Sequence, residues 1–313
     1  MLGRTADNLY WTGRYVERAE SLARILDVSH RIALQRGSDR AKASEEFGTV
    51  LSMLGDVKVY AEKHGLPTPE GVTAFVAIDP ENPSSIHACV RLARENARAL
   101  RAVISLEVWE SINTTWIELR QLDEKALKRK GSRELCEWVK ERCSLFRGAT
   151  YGTFMRDDGF HFLELGTFLE RADDTVRLLD TKYKLLEQGG EQSAATTFYE
   201  WGAVLHAVGA FRAYHRIYHD VITPARVASL LVTRGELPLS VRFCADQIVN
   251  LLSGLARGRD LECQRLAGEL QARLRFVRMD RVLHDGLHEF LKEIESSLSD
   301  LSSQISKDFM MTV

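Results

Sequence analysis

The sequence predicts an all-α fold with no sheet: a tandem-duplicated helical bundle of about ten to eleven helices with halves related by a pseudo-twofold axis. Three observations predict it. Only six prolines occur, none between Ser84 and Thr223 and none after Pro238. Long proline-free stretches rich in Ala, Leu, Arg and Glu favour helix. Alternation of β-branched residues is almost absent, Val72 to Ile78 being the one short strand candidate. Finally, a segment near the N-terminus returns in the second half of the chain.

Residues 5–35 form the first helix. At about 100° per residue, Trp11, Tyr15, Ala19, Leu22, Leu26 and Ala33 fall in one apolar arc. Gly13, Glu17, Glu20, Arg24, Asp27 and Arg31 form a second stripe opposite. A helix is expected over 44–63, followed by a proline-rich connection over 65–83. Helices follow over 84–104, 106–129 and 132–150. Residues 157–187 form the second long helix, with Asp157 or Asp158 as a natural N-cap. Helices over 196–216, 224–233, 239–256, 260–278 and 282–308 complete the chain.

The duplication is specific. Gly13-x-Tyr15-Val16-Glu17-Arg18-Ala19-Glu20-x3-Arg24-Ile25-Leu26-Asp27 recurs as Gly166-x-Phe168-Leu169-Glu170-Arg171-Ala172-Asp173-x3-Arg177-Leu178-Leu179-Asp180, 153 residues later. Phe47-Gly48 and Tyr60 match Trp201-Gly202 and Tyr214 at an offset of 154, and Ser85 and Cys89 match Ser240 and Cys244 at 155. A drift of one residue at each step is what small loop insertions produce. The chain reads as a single domain of two helical repeats, 1–153 and 154–313.

Composition narrows the function. The chain has 313 residues, 42 Lys+Arg against 44 Asp+Glu, and a net charge of -2. Near-neutral charge gives no reason to expect a nucleic-acid or membrane partner. No stretch is apolar enough to span a bilayer, and the charged N-terminus (Arg4, Asp7, Arg14) is unlike a secretory signal. Five cysteines without C-x-x-C read as reduced, mostly buried thiols of a cytoplasmic protein. The absence of a P-loop, of G-x-G-x-x-G after a strand and of G-x-S-x-G leaves no sign of a nucleotide site or hydrolase elbow, and no cofactor is expected.

The opening Leu9-Tyr10-Trp11-x-Gly13-Arg14-Tyr15-x-Glu17-Arg18-Ala19-Glu20, with Arg156-Asp157-Asp158-Gly159-Phe160, Glu170-Arg171-Ala172-Asp173, Ala93-Arg94-Glu95-Asn96-Ala97-Arg98 and Ser240-Val241-Arg242-Phe243-Cys244, resembles the bacterial alpha-E domain family. The resemblance covers nearly the whole chain. It implies a helical protein that works beside circularly permuted ATP-grasp and transglutaminase-like proteins in peptide or amide synthesis or modification. Thr167 stands where the first repeat has Arg14, and Phe160 where the family pattern has Trp. Any site is therefore expected to be asymmetric.

The Glu-Arg pairs are the leading constellation. On the wheel, Glu17 and Glu170 lie beside the polar stripe, while Arg18 and Arg171 turn toward the apolar arc and must be paired or snorkel. Two readings stay open. In one, Glu17 meets Arg171 and Arg18 meets Glu170 as a clamp between repeats. In the other, these residues with Arg14, Glu20, Arg24, Asp173 and Arg177 form an anionic-ligand or enzyme site.

A second stripe, Arg91, Arg94, Arg98 and Arg101, lies on one face of the 84–104 helix opposite Leu92, Ala99, Leu100 and Val103. It is either solvated or answered by Glu20, Asp27, Asp173 and Asp180 in a groove that includes Arg94 and Arg98. His215-x3-His219 and His284-x3-His288 have metal-ligand spacing, but neither has a third ligand in view, and no metal site is predicted. The leading function is an accessory or binding component of an ATP-grasp-linked system. The alternatives are an enzyme acting on a peptide-like or anionic substrate, and a helical scaffold.

Overall fold

The structure, a computed structural model, describes residues 3–35, 40–123, 125, 127, 129, 131–188 and 194–309. Among them are fifteen helices and no strand. These are α1 (Gly3–Gln35), α2 (Arg40–Leu54), α3 (Val57–His64), α4 (Pro69–Ala77), α5 (Ile86–Ala99), α6 (Leu106–Leu119) and α7 (Ser132–Thr153). They continue as α8 (Asp158–Gln188), α9 (Ala194–Ala207), α10 (Phe211–Tyr218), α11 (Pro224–Thr233), α12 (Val241–Ala256), α13 (Glu262–Phe276), α14 (Met279–Asp285) and α15 (Leu287–Phe309).

The all-α class is as the sequence predicts, but the helix count exceeds the expected ten to eleven. Three expected helices are each broken at a glycine of positive φ: 44–63 at Gly55 (φ 76°), 196–216 at Gly209 (φ 66°) and 282–308 at Gly286 (φ 134°). Glycine adopts that conformation at no steric cost, so the chain turns there rather than continuing. The fourth addition is α4, where Val72 to Ile78 is helical and not a strand. Thr68 is its N-cap, accepting from the Gly71 amide at 3.0 Å, and Pro69 sits in the first turn. Proline is suited to that position because its missing N–H would have no intrahelical partner.

Helix lengths recur along the chain. α1 has 33 residues and α8 has 31; α3 and α10 have 8 each; α7 has 22 and α15 has 23, with the 7-residue α14 as an addition before α15. Caps recur too. Thr223 and Pro224 open α11 as Thr68 and Pro69 open α4. Ser85 caps α5 through the Ala88 amide at 3.0 Å, and Ser240 caps α12 through the Phe243 amide at 3.0 Å. Each serine hydroxyl also donates to a carbonyl six residues back, of Asp79 and of Arg234.

The chain divides into two compact units, residues 15–155 and residues 1–14 with 156–313. In the first, α2 packs on α3 and α4, α5 on α6, and α6 on α7. Its core includes Leu26, Phe47, Leu51, Tyr60, Phe75, Ile86, Leu119 and Leu135, all at most 2% exposed. In the second, α8 is the spine, flanked by α12 and α15, with α13 packed on both. Leu9, Tyr10, Trp201 and Tyr214 are buried there, and the Tyr214 hydroxyl donates to the Val221 carbonyl at 2.8 Å. No helix of the described residues is long and apolar enough to cross a membrane.

Candidate functional site

In the unit formed by residues 1–14 and 156–313, the start of α1 lies against α8 at two glycines. A Cβ built on Gly13 would collide with the Leu163 carbonyl, and one on Gly166 with the Tyr10 carbonyl. The contact is reciprocal, since each glycine meets the carbonyl three residues before the other. Only residues without a side chain allow backbones to approach so closely.

One turn beyond this crossing, Arg14 Nε donates to Glu170 Oε2 at 2.6 Å. Arg14 Nη1 donates to Ser302 Oγ at 3.1 Å and to the Tyr10 hydroxyl at 3.3 Å, and those two oxygens are 2.7 Å apart. Glu170 is 1% exposed. Burial works to lower the Arg14 guanidinium, but Glu170, Tyr10 and Asp173 outweigh it and hold it above its ordinary range, so it stays charged.

The acidic stripe continues along α8. Asp173 pairs with Arg177 at 3.1 Å, and Arg177 lies 3.5 Å from Glu295 of α15. Burial pushes the Asp173 carboxyl up. Arg177 opposes that shift, while the nearby Glu170 adds to it. Asp180 meets His288 Nδ1 at 2.5 Å and Lys292 at 3.6 Å, both from α15.

The unit of residues 15–155 carries a comparable ladder. Glu17 accepts from Arg147 at 3.3 Å, and Glu20 is held by Arg24 at 2.7 Å and by Arg147. Asp27 accepts from Arg31 at 3.0 Å and from Lys140 at 3.1 Å. Glu17, Glu20 and Asp27 are all buried. Cys136 and Cys143 lie on α7, the same helix as Lys140 and Arg147. Burial, then Asp27, pushes the Cys136 thiol up to about 12, and burial holds the Cys143 thiol well above the ordinary range. Neither is a nucleophile near neutral pH.

Glu17, Glu20 and Asp27 are therefore answered from α7, Asp180 from α15, Glu170 by Arg14 and Asp173 by Arg177 of its own helix. Of the two readings of the arginine stripe, solvated or answered by Glu20, Asp27, Asp173 and Asp180, its exposure fits the first. Arg91, Arg98 and Arg101 are exposed. Arg94 pairs with Glu95 at 2.6 Å and reaches Asn113 at 3.2 Å, and Arg98 lies 3.8 Å from Glu95. Arg94 and Arg101 also lie over Trp109. The buried face of α5 is Ile86, Ala88, Cys89, Val90, Ala93 and Ala97, while Val103 beyond its end is 39% exposed.

Arg171 is half-buried, lies over the Phe168 ring at 5.3 Å and reaches the Pro238 carbonyl at 3.4 Å, so it snorkels. Arg18 is half-buried. Thr167, at the position equivalent to Arg14, donates its hydroxyl to Leu163 in its own helix at 3.1 Å. Asp157 caps α8, accepting from the Gly159 amide at 2.8 Å.

Sequence reasoning missed Lys140, Arg147, Lys292, Glu295 and Ser302, and weighed His288 only as a metal ligand, not as the partner of Asp180. A signal existed for two of them: Lys140 and Arg147 are seven residues apart, as are Glu20 and Asp27. Among the described residues no three His, Cys, Asp or Glu side chains gather as metal ligands.

Buried, arginine-answered glutamates in two Glu-Arg dipeptides are the recurring feature of both ladders. The Alpha-E family model, described as a predicted alpha-helical domain with a conserved ER motif, matches residues 1–310. The chain belongs to the Alpha-E family. Glu17-Arg18 and Glu170-Arg171 carry the motif's residue pair in this Alpha-E chain. A third pair, Glu141-Arg142, lies outside the duplicated segments, with Glu141 exposed and Arg142 bound to Glu118 at 2.6 Å.

A curated protein of Mycobacterium bovis is 24% identical to this Alpha-E chain over 334 residues, covering 97% of the chain and 36% of that protein. One from Mycobacterium tuberculosis CDC 1551 has the same figures, and one from strain H37Rv is 23% identical with the same coverage. All three are described as uncharacterized proteins. The chain thus spans 36% of the length of these relatives. No solved structure matches at a comparable significance.

Proposed function

We propose that this Alpha-E chain is an accessory component of an ATP-grasp-linked system for peptide or amide synthesis or modification, acting in a reducing cytoplasm. Its partners are a circularly permuted ATP-grasp protein, or that protein's peptide-like product, and a transglutaminase-like protein. One observation carries the choice of accessory over catalyst. Glu17, Glu20 and Glu170 are buried and already bound by arginine, as in a clamp that orders helices. Coverage of only part of each longer relative fits a module that works with other domains. The five free, buried thiols fit a reducing compartment. We infer also that residues 1–153 and 154–313 are two copies of one helical unit, which the recurring helix lengths and caps support.

The test is co-purification with a circularly permuted ATP-grasp protein of the same organism, followed by ATP-dependent ligation with and without this chain. A changed rate or product supports the accessory role; identical rates and products, with no co-purification, overturn it. A second reading, catalysis, has Asp173 in its favour, since a largely buried carboxyl pushed upward suits proton transfer. In the same assay, Asp173→Asn that keeps its fold but lowers the rate by about a hundredfold or more would favour catalysis. An unchanged rate would favour the accessory role.

A further inference from the structure

A cleft of about 880 Å³ opens in the unit of residues 15–155, away from the Glu-Arg ladders. Helices α3 and α4, the turn leading to α5, and Leu122, Asp123, Leu127, Gly131 and Ser132 form it. Its size is in the range of small-molecule sites. Ala74, Phe75, Ile78, Leu122 and Leu127 provide apolar surface. Among the described residues that line it stand four carboxylates, Glu70, Asp79, Glu81 and Asp123, against one ammonium, Lys63, which donates to Glu81 at 2.9 Å.

His87 also lines the cleft, and its Nδ1 is buried with no hydrogen-bond partner among the described residues. Burial, then the neighbouring Arg91, lowers its pKa, so the ring is neutral and offers an acceptor near pH 7. His64 and Phe75, with ring centroids 5.9 Å apart, and His87 are the rings that line the cleft, and His87 is backed by Trp116 at 5.0 Å.

We propose that this cleft binds a small organic cation, an ammonium or guanidinium carried on an apolar stem. The apolar floor takes the stem. The surplus of carboxylates and the aromatic faces take the charge, and an anion of the same shape is refused. The inference goes beyond the accessory role and does not depend on it, because none of these residues belongs to either ladder.

Calorimetric titration of the full chain with 2-phenylethylammonium and with 3-phenylpropanoate tests it, since the two share a body and differ in the sign of the charge. The ammonium probe is expected to saturate one site and weaken with added salt, and the carboxylate probe to show no binding. Glu70→Gln with Asp79→Asn should weaken the ammonium probe by about tenfold or more; Asn keeps the oxygen that accepts from the Glu81 amide. Lys63→Met, at an exposed site, should tighten it, and this holds the test open if the double variant misfolds. No binding, equal binding of both probes, or affinities unchanged by the substitutions would overturn the proposal.

Discussion

Arg14 donates to Glu170 at 2.6 Å in a pair whose carboxylate is 1% exposed. The pair has no equivalent at the matching position of the second repeat, where Thr167 replaces arginine. Removing one member of such a pair takes away the counter-charge that Arg14 and Glu170 give each other in a largely dry setting. Glu170→Ala should therefore cost about 3–5 kcal/mol, read from urea unfolding. Arg14→Lys should recover only part of the stability lost in Arg14→Ala. A lysine cannot serve Glu170, Tyr10 and Ser302 with a planar fork.

Gly13 and Gly166 set how closely α1 and α8 approach. An added methyl at either meets a backbone carbonyl, which has no rotamer to escape into. Gly13→Ala and Gly166→Ala should each lose about 1–3 kcal/mol or more. Gly148 and Gly268, which have open space around a built Cβ, serve as controls. Alanine there should be neutral or gain up to about 1 kcal/mol from helix propensity. Thermal unfolding of the four variants checks this, and equal shifts for all four would argue against a special crossing.

Asp173 gives a pH signature. Its carboxyl is raised in the folded chain by burial, so the native state holds the proton more tightly than the unfolded state. Its contribution is fully present below the ordinary aspartate value, about 3.9, and is lost as pH rises through the raised folded value. Asp173→Asn should then gain on the parent chain as pH rises across that window. Denaturant midpoints of both proteins at matched pH values give the difference. A difference that shrinks with rising pH would contradict the assignment.

The five cysteines are free and buried, and burial pushes those of Cys136 and Cys263 up to about 12. Native protein at pH 8 should react slowly with a disulfide reagent, and five equivalents should appear on unfolding. Rapid native labelling of Cys136 or Cys143 would show that the α7 face is open.

Much of this architecture was legible in the chain. Proline spacing gave the long helices, and 224–233 coincides with α11. The breaks at Gly55, Gly209 and Gly286 were not legible, because a glycine inside a helical pattern reads the same whether its φ is negative or positive. Pro69 read as a breaker because its role depends on Thr68 capping the turn ahead of it. The acidic stripes were visible with the i,i+4 arginines Arg24, Arg31 and Arg177, but the partners on α7 and α15 were not. The seven-residue spacing of Glu20 and Asp27 matches that of Arg147 and Lys140 only if α1 and α7 run antiparallel, which is a tertiary fact. The arginine stripe from Arg91 to Arg101 offered a nearer match in sequence, and it meets solvent, Glu95 and the α6 residues Trp109 and Asn113.

The account rests on these glutamates and arginines holding helices together through one another. A double-mutant cycle on Arg14 and Glu170, with alanine at each position and stability measured by urea unfolding, tests it most directly. A coupling of about 2–3 kcal/mol, with the double variant losing far less than the two single losses added, is the predicted result. Losses that simply add would mean the two side chains act independently, and the clamp would be gone.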